Sequence, residues 1–179
     1  IYDEHPHVFS VIALDNLLNR NGLEIVKVEN LSVHGGSNRI YAMKKGVGSI
    51  DVSVEQNKTY ERILGLDKLE TFVRFAEKVK QSKSDLVRLL KSCKREGKKV
   101  ISYGASSKST TIFNYCNIGP DLISYITDTT PEKQGKLSPG MHIPVMSPEQ
   151  GFNETVDYAY LGAWNFIQEI KNKESDFIN

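Results

Sequence analysis

Tyr103-Gly104-Ala105-Ser106-Ser107-Lys108-Ser109-Thr110-Thr111 concentrates the reactive residue types of this chain. The apolar pair Val100-Ile101 precedes it, and helical spacing follows. A glycine turn that leaves a strand and opens a helix presents free backbone N–H groups and the positive end of the helix dipole. Both favour an anion. Lys108 falls on the first helical turn, where a cation is unfavourable to the dipole unless an anion accompanies it. Ser106 and Ser107 supply further donors. Asp128 ends the next expected strand, where a ribose or base contact falls in a parallel sheet. A phosphate or diphosphate is the guest these residues suit. The loop matches neither Gly-x-Gly-x-x-Gly nor Gly-x-x-x-x-Gly-Lys-Ser, and its spacing also admits a tight turn whose hydroxyls only cap the helix.

Three smaller groups carry further chemistry. Tyr2-Asp3-Glu4-His5 joins an imidazole, which titrates near neutrality and suits a general base, to a carboxylate that can orient it. The Tyr2 hydroxyl can donate to a developing oxyanion. By composition alone the same four residues also suit a solvated turn. In His34-Gly35-Gly36-Ser37-Asn38-Arg39 two glycines let backbone approach a ligand, and Arg39 can hold a carboxylate or phosphate. An exposed hairpin turn is the other reading. Trp164-Asn165 follows the last expected strand, placed either to stack on and bond a nucleotide base or to serve as core or lid.

The elements that position these groups are legible from periodicity. Ser10 caps a helix with Val11, Leu14, Leu17 and Leu18 on one face, ended by Gly22. Residues 23–28 and 39–43 form a hairpin with an irregular connection, and residues 52–54 read as a brief extended piece. Leu66, Leu69, Phe72, Val73, Ala76 and Val79, then Leu86, Leu89, Leu90 and Cys93, give one long amphipathic helix or two nearly collinear ones, closed by Gly97. From Lys98 the rhythm becomes strand (99–103), helix (108–116), strand (121–126) and a loop over 131–140 carrying the cation Lys133. An extended piece (142–145), a strand (156–161) and a helix (164–173) follow. That alternation predicts an α/β fold with a Rossmann-like parallel sheet.

With 179 residues, 39% of them hydrophobic, the chain can bury a core. A net charge of +1 gives no field for nucleic acid or an acidic membrane. No apolar run reaches the roughly 18 residues a membrane helix requires. Cys93 and Cys116 have neither metal-ligand nor disulfide-framework spacing, which points to a reducing, cytoplasmic setting and to no metal in this portion. Oligomeric state leaves no mark. Ile1, standing where a starting methionine would, reads as the edge of a piece of something longer.

In order and spacing these blocks resemble the sugar C-methyltransferase family, over nearly the whole chain. The likeness rests on Tyr2-Asp3-Glu4-His5, Gly22-Leu23-Glu24, His34 to Arg39, and Tyr103 to Lys108. It continues through Asn114-Tyr115-Cys116, Ile118 to Ile123, Pro131 to Lys136, Pro139 to Pro144 and Trp164-Asn165. The resemblance implies an enzyme that moves a methyl group from S-adenosylmethionine to a carbon of a nucleotide-linked keto sugar. It divides the chain into the last helix and hairpin of a class I methyltransferase domain (1–57), a linking helix (58–97) and a nucleotide-sugar-binding domain (98–179). S-adenosylmethionine would be held mainly by an N-terminal part outside this sequence, and zinc only by a module there, so the piece alone should be inactive. His5 would be the base, with Tyr2 and Glu4 positioning the sugar or the base. Gly104, Ser106, Ser107, Lys108, Asp128, Lys133, Arg39, His34, Trp164 and Asn165 would bind the substrate. Asp3 stands where the family more often has histidine, Pro6 where it has an apolar residue, and the family usually continues past Asn179 into another strand. The alternative from another class is a non-catalytic module that binds a nucleotide or phosphate ligand.

Overall fold

The computed structural model describes residues 7–33, 36–153, 155–162 and 164–175. Contacts divide the chain into two compact units, with the division between Lys78 and Val79.

In the first unit the Ser10 hydroxyl accepts from the Ala13 N–H at 3.1 Å and opens α1 (Val11–Arg20). Asn21 and left-handed Gly22 close it, and Gly22, at φ +73°, turns the chain into β1 (Leu23–Leu31). The antiparallel partner is β2 (Ser37–Lys44), with a bulge between Ile25 and Lys27. Residues 52–54, expected to be extended, instead open a helix, α2 (Val52–Ile63). Asp51 caps it by accepting from the Ser53 N–H at 2.8 Å, and Val54 turns inward to join Val11, Ile25 and Val28 in the core. The Val-Ser-Val alternation mimics a strand, but the polar run after it has only helical neighbours to serve.

The helix α3 (Leu69–Arg95) is a single 27-residue helix that passes through the Ser82 region without a break. Gly97 ends it at φ +70°, with its N–H on the Lys94 carbonyl and that of Lys98 on the Cys93 carbonyl. Those two bonds make a Schellman cap.

The second unit is built on four parallel strands: β3 (Val100–Tyr103), β4 (Ile126–Thr127), β5 (Val145–Met146) and β6 (Tyr158–Leu161), in spatial order β5-β4-β3-β6. Between β3 and β4 runs α4 (Ser107–Cys116). A short α5 (Pro148–Gly151) precedes β6, and α6 (Ile167–Lys173) follows it after one 3-10 turn, Trp164–Phe166. One face of the sheet packs Val100, Ile126 and Val145 against Leu90, Phe113, Ile118 and Ile143; on another side Ile101 meets Tyr125 and Val156. Being covered on both sides, β3 is buried from Val100 through Ser102, and only Tyr103 at its end is partly exposed.

The expected strand over residues 121–126 shrinks to Ile126–Thr127. Gly119 accepts from the N–H groups of both Leu122 and Ile123, so this apolar run is a turn that drops Ile123, fully buried, into the core. His142, left-handed at φ 54°, likewise delays the next strand to Val145. The architecture is α/β: a four-stranded parallel sheet plus an antiparallel hairpin.

Candidate anion-binding site at the glycine loop

Strand β3 has β4 on one side and, on the other, β6, which the chain reaches by crossing back from β5, so the strand order reverses beside β3. In open parallel sheets the carboxyl end of such a strand is where ligands bind. The glycine loop sits there. Gly104 adopts φ +87°, a region costly for other residues, and donates its N–H to the Thr127 carbonyl at 2.7 Å. Ser106 is the N-cap of α4 and accepts from the Ser109 N–H at 3.2 Å.

Ser109, fully buried, organises the turn from beneath. Its hydroxyl donates to the Gly104 carbonyl at 3.1 Å and lies 3.0 Å from the Ser106 hydroxyl. Because Ser109 has one hydroxyl proton, already given to Gly104, the Ser106 hydroxyl is the donor in that second bond. Ser106 therefore faces inward, and what the loop offers outward is backbone. Among the described residues no acceptor takes the N–H of Ser106 or Ser107.

Asp128 follows β4 and is buried beside the loop, accepting from the Ala105 N–H at 2.7 Å and the Thr130 N–H at 2.8 Å. Burial pushes its carboxyl up, but the bonds from Thr130 and Ala105 and the nearby Lys133 ammonium outweigh that and hold it below the ordinary value. Lys133 reaches the Ala105 carbonyl at 3.0 Å and Asp128 at 3.3 Å.

On the other side of the loop, the Lys108 ammonium lies 5.9 Å from the centre of the Trp164 ring. Trp164 is well exposed. Its approach depends on Gly162, where a Cβ would stand 1.7 Å from the Ser109 Oγ. Tyr103, the last residue of β3, stacks obliquely on Phe152 and donates its hydroxyl to Glu174 at 2.9 Å. Burial first, then the Glu174 bond, push its phenol up to about 12.

Gly104, Ser106, Ser107, Lys108, Asp128, Lys133 and Trp164 are thus gathered at one end of the parallel sheet. Arg39 belongs to the first unit. There its guanidinium lies 3.4 Å from Glu29, which also takes the Lys27 ammonium at 2.6 Å and the Tyr41 hydroxyl at 3.0 Å. Tyr2, Glu4, His5 and His34 lie outside the described residues, as does the side chain of Asn165. Sequence reasoning missed Ser109 and Gly162. The hydroxyl run and the glycine just after a strand were the available signals, but neither says which pair will touch.

Residues 32–179 match the C-methyltransferase C-terminal domain family. The chain belongs to it. A C-methyltransferase of this kind, NovU of Streptomyces niveus, is 34% identical over 179 residues, covering 99% of this chain and 43% of its own length. The chain therefore spans less than half of that relative. Among the described residues of this C-methyltransferase C-terminal domain, no helix is long and apolar enough to cross a membrane. No three His, Cys, Asp or Glu side chains among them cluster as metal ligands would.

Proposed function

We propose that this chain is the sugar-nucleotide-binding end of a cytoplasmic enzyme that transfers a methyl group from S-adenosylmethionine to a carbon of a nucleotide-linked keto sugar. The observation that carries the reading is the convergence of outward N–H groups at Ser106 and Ser107, the Lys108 cation and the exposed Trp164 ring at the carboxyl end of β3. A diphosphate fits the N–H groups and the dipole, with Lys108 beside it; a base fits the tryptophan face. In this reading the parallel sheet is a Rossmann-like sugar-nucleotide domain, and α1 with the β1–β2 hairpin closes a class I methyltransferase domain that lies mostly outside the chain.

S-adenosylmethionine supplies an electrophilic methyl group. This chain's single-glycine loop, whose Gly104 and Ala105 N–H groups are already bonded internally, does not fit it. His5 accepts the proton from the carbon next to the sugar ketone, Tyr2 and Glu4 orient the sugar, and the enolate so formed is the carbon nucleophile.

The test is thymidine diphosphate binding to the full-length enzyme, measured by calorimetry. Lys108→Ala should weaken it several-fold or more, since a charge-assisted contact contributes about 1.5–3 kcal/mol before exposure reduces it. Unchanged affinity refutes the diphosphate site. His5→Ala should nearly abolish turnover while leaving that affinity close to normal, and substantial residual activity removes His5 from the base role.

A further inference from the structure

The Pro131-Glu132-Lys133-Gln134-Gly135-Lys136 block has no job in the scheme above beyond one cation. The structure gives it one. Asp128 and Lys133 form a bracket around a single residue of the glycine loop: the carboxylate accepts from the Ala105 N–H, in the peptide joining it to Gly104, at 2.7 Å, and the ammonium donates to the Ala105 carbonyl, in the peptide joining it to Ser106, at 3.0 Å. The two side chains are paired with each other at 3.3 Å. Gln134 extends the bracket by donating its amide to the Asp128 carbonyl at 2.9 Å. Left-handed Gly135 then turns the chain back so that its N–H meets the Val145 carbonyl, anchoring the block to β5.

We propose that Asp128 and Lys133 are positioning residues of the sugar-nucleotide site, acting on the ligand through the backbone of Ala105 and not by touching it. The inference rests on the diphosphate reading of the loop. Its physical basis is that the N–H and carbonyl of Ala105 belong to the two rigid peptide planes on either side of its Cα, so holding both fixes φ and ψ at that residue. The next two N–H groups, those of Ser106 and Ser107, are thereby aimed outward before any ligand arrives. Preorganised donors bind an anion without the cost of ordering the loop. The polar atoms of Asp128 support this role. One oxygen holds Ala105 and Lys133, the other Thr130, and the carboxylate's negative charge makes it a poor direct neighbour for a diphosphate.

A double-mutant cycle on thymidine diphosphate binding by the full-length enzyme decides the matter. Lys133→Met and Asp128→Asn should each weaken binding by about five- to tenfold, the scale of one partly exposed charge-assisted hydrogen bond. The double variant should be no worse than either single one, because either change frees the backbone of the same residue, Ala105. Lys133→Arg, which keeps a cationic donor, should recover most of the affinity. The dependence of affinity on salt should keep its slope in Lys133→Met, since no phosphate contact is removed. A Lys133 that touched the diphosphate would give the reverse pattern: a shallower salt slope, and tighter binding in Asp128→Asn. That pattern, or additive losses, overturns the inference while the diphosphate reading survives through Lys108→Ala. If Lys108→Ala is also without effect, both fail. Should Asp128→Asn not fold, the Lys133 variants and their salt slopes carry the test alone; Lys133 is half exposed, and its loss leaves no cavity.

Discussion

Gly162→Ala should be costly out of proportion to one methyl group. A Cβ there would lie 1.7 Å from the Ser109 Oγ and 2.9 Å from its Cβ, with the Ser109 Cα at 3.5 Å. Contacts of 1.7 Å do not exist, so either the end of β6 moves or the Ser109 hydroxyl swings away. Swinging away breaks its bonds to the Gly104 carbonyl and the Ser106 hydroxyl and strands polar atoms in a fully buried place. Two hydrogen bonds at about 1 kcal/mol each, plus part of a desolvation penalty of about 1–3 kcal/mol, give about 2–4 kcal/mol. With a mid-range urea slope of about 2 kcal/mol/M, the unfolding midpoint should fall by roughly 1–2 M. Adding Ser109→Gly removes both offending atoms and leaves the Cα at an ordinary contact distance. The double variant should then match Ser109→Gly alone, itself down by about 2–3 kcal/mol through lost bonds and a helix glycine. Trp164, the chain's one tryptophan, lies two residues beyond Gly162, so its emission should shift in Gly162→Ala and return in the double variant. The reasoning is refuted if Gly162→Ala stays within about 0.5 kcal/mol of the parent, or if the two losses simply add.

Glu61→Ala should cost about 3 kcal/mol in urea unfolding, since its buried carboxylate accepts the first two N–H groups of α1, from Val11 at 2.6 Å and Ile12 at 2.8 Å, and both would lose their partner. Glu61→Gln, which still accepts one of them, should lose visibly less; equal losses would mean that packing, not capping, is what Glu61 contributes. Acid should loosen the glycine loop. Because the folded state holds Asp128 below its ordinary value, its contribution is complete above the unfolded aspartate value of about 3.9 and fades as pH falls through the lower folded one. Lys133 and Tyr103 are its ionisable neighbours. Urea midpoints from pH 7 to pH 2.5 should therefore drop less steeply in Asp128→Asn than in the parent, and parallel curves would dismiss the linkage.

What could be read from sequence was whatever chemistry acts over a few residues. Ser10 and Gly22 bracket α1 as expected, Gly97 stops α3, and the step from β3 through Gly104 and Ser106 into α4 follows from the residue types alone. The sheet's parallel sense followed from alternation, but its strand order and strand lengths did not. Strands β4 and β5 keep only two residues each, because partners brought from distant parts of the chain, not propensity, decide how far a ladder runs. Helix α2 was hidden by a Val-Ser-Val alternation, and its buried Glu61 serves a helix 50 residues away. The site divides in the same way. The anion-friendly cluster around Lys108 is local and legible. The grip of Asp128 and Lys133 on Ala105 spans 23 and 28 residues, and the Gly162 contact with Ser109 joins two elements whose approach no spacing rule anticipates.

The central place of β3 has a consequence for synthesis. Its partner on one side, β6, is not made until Tyr158, well after β4 and β5 have emerged. Until then the nascent polypeptide carries a strand with a bare, apolar flank, Ile101 included, open to pairing with any other extended chain nearby. Late arrival of β6 makes residues 158–161 a seal, and a ribosome stalled before them would leave a product prone to clump.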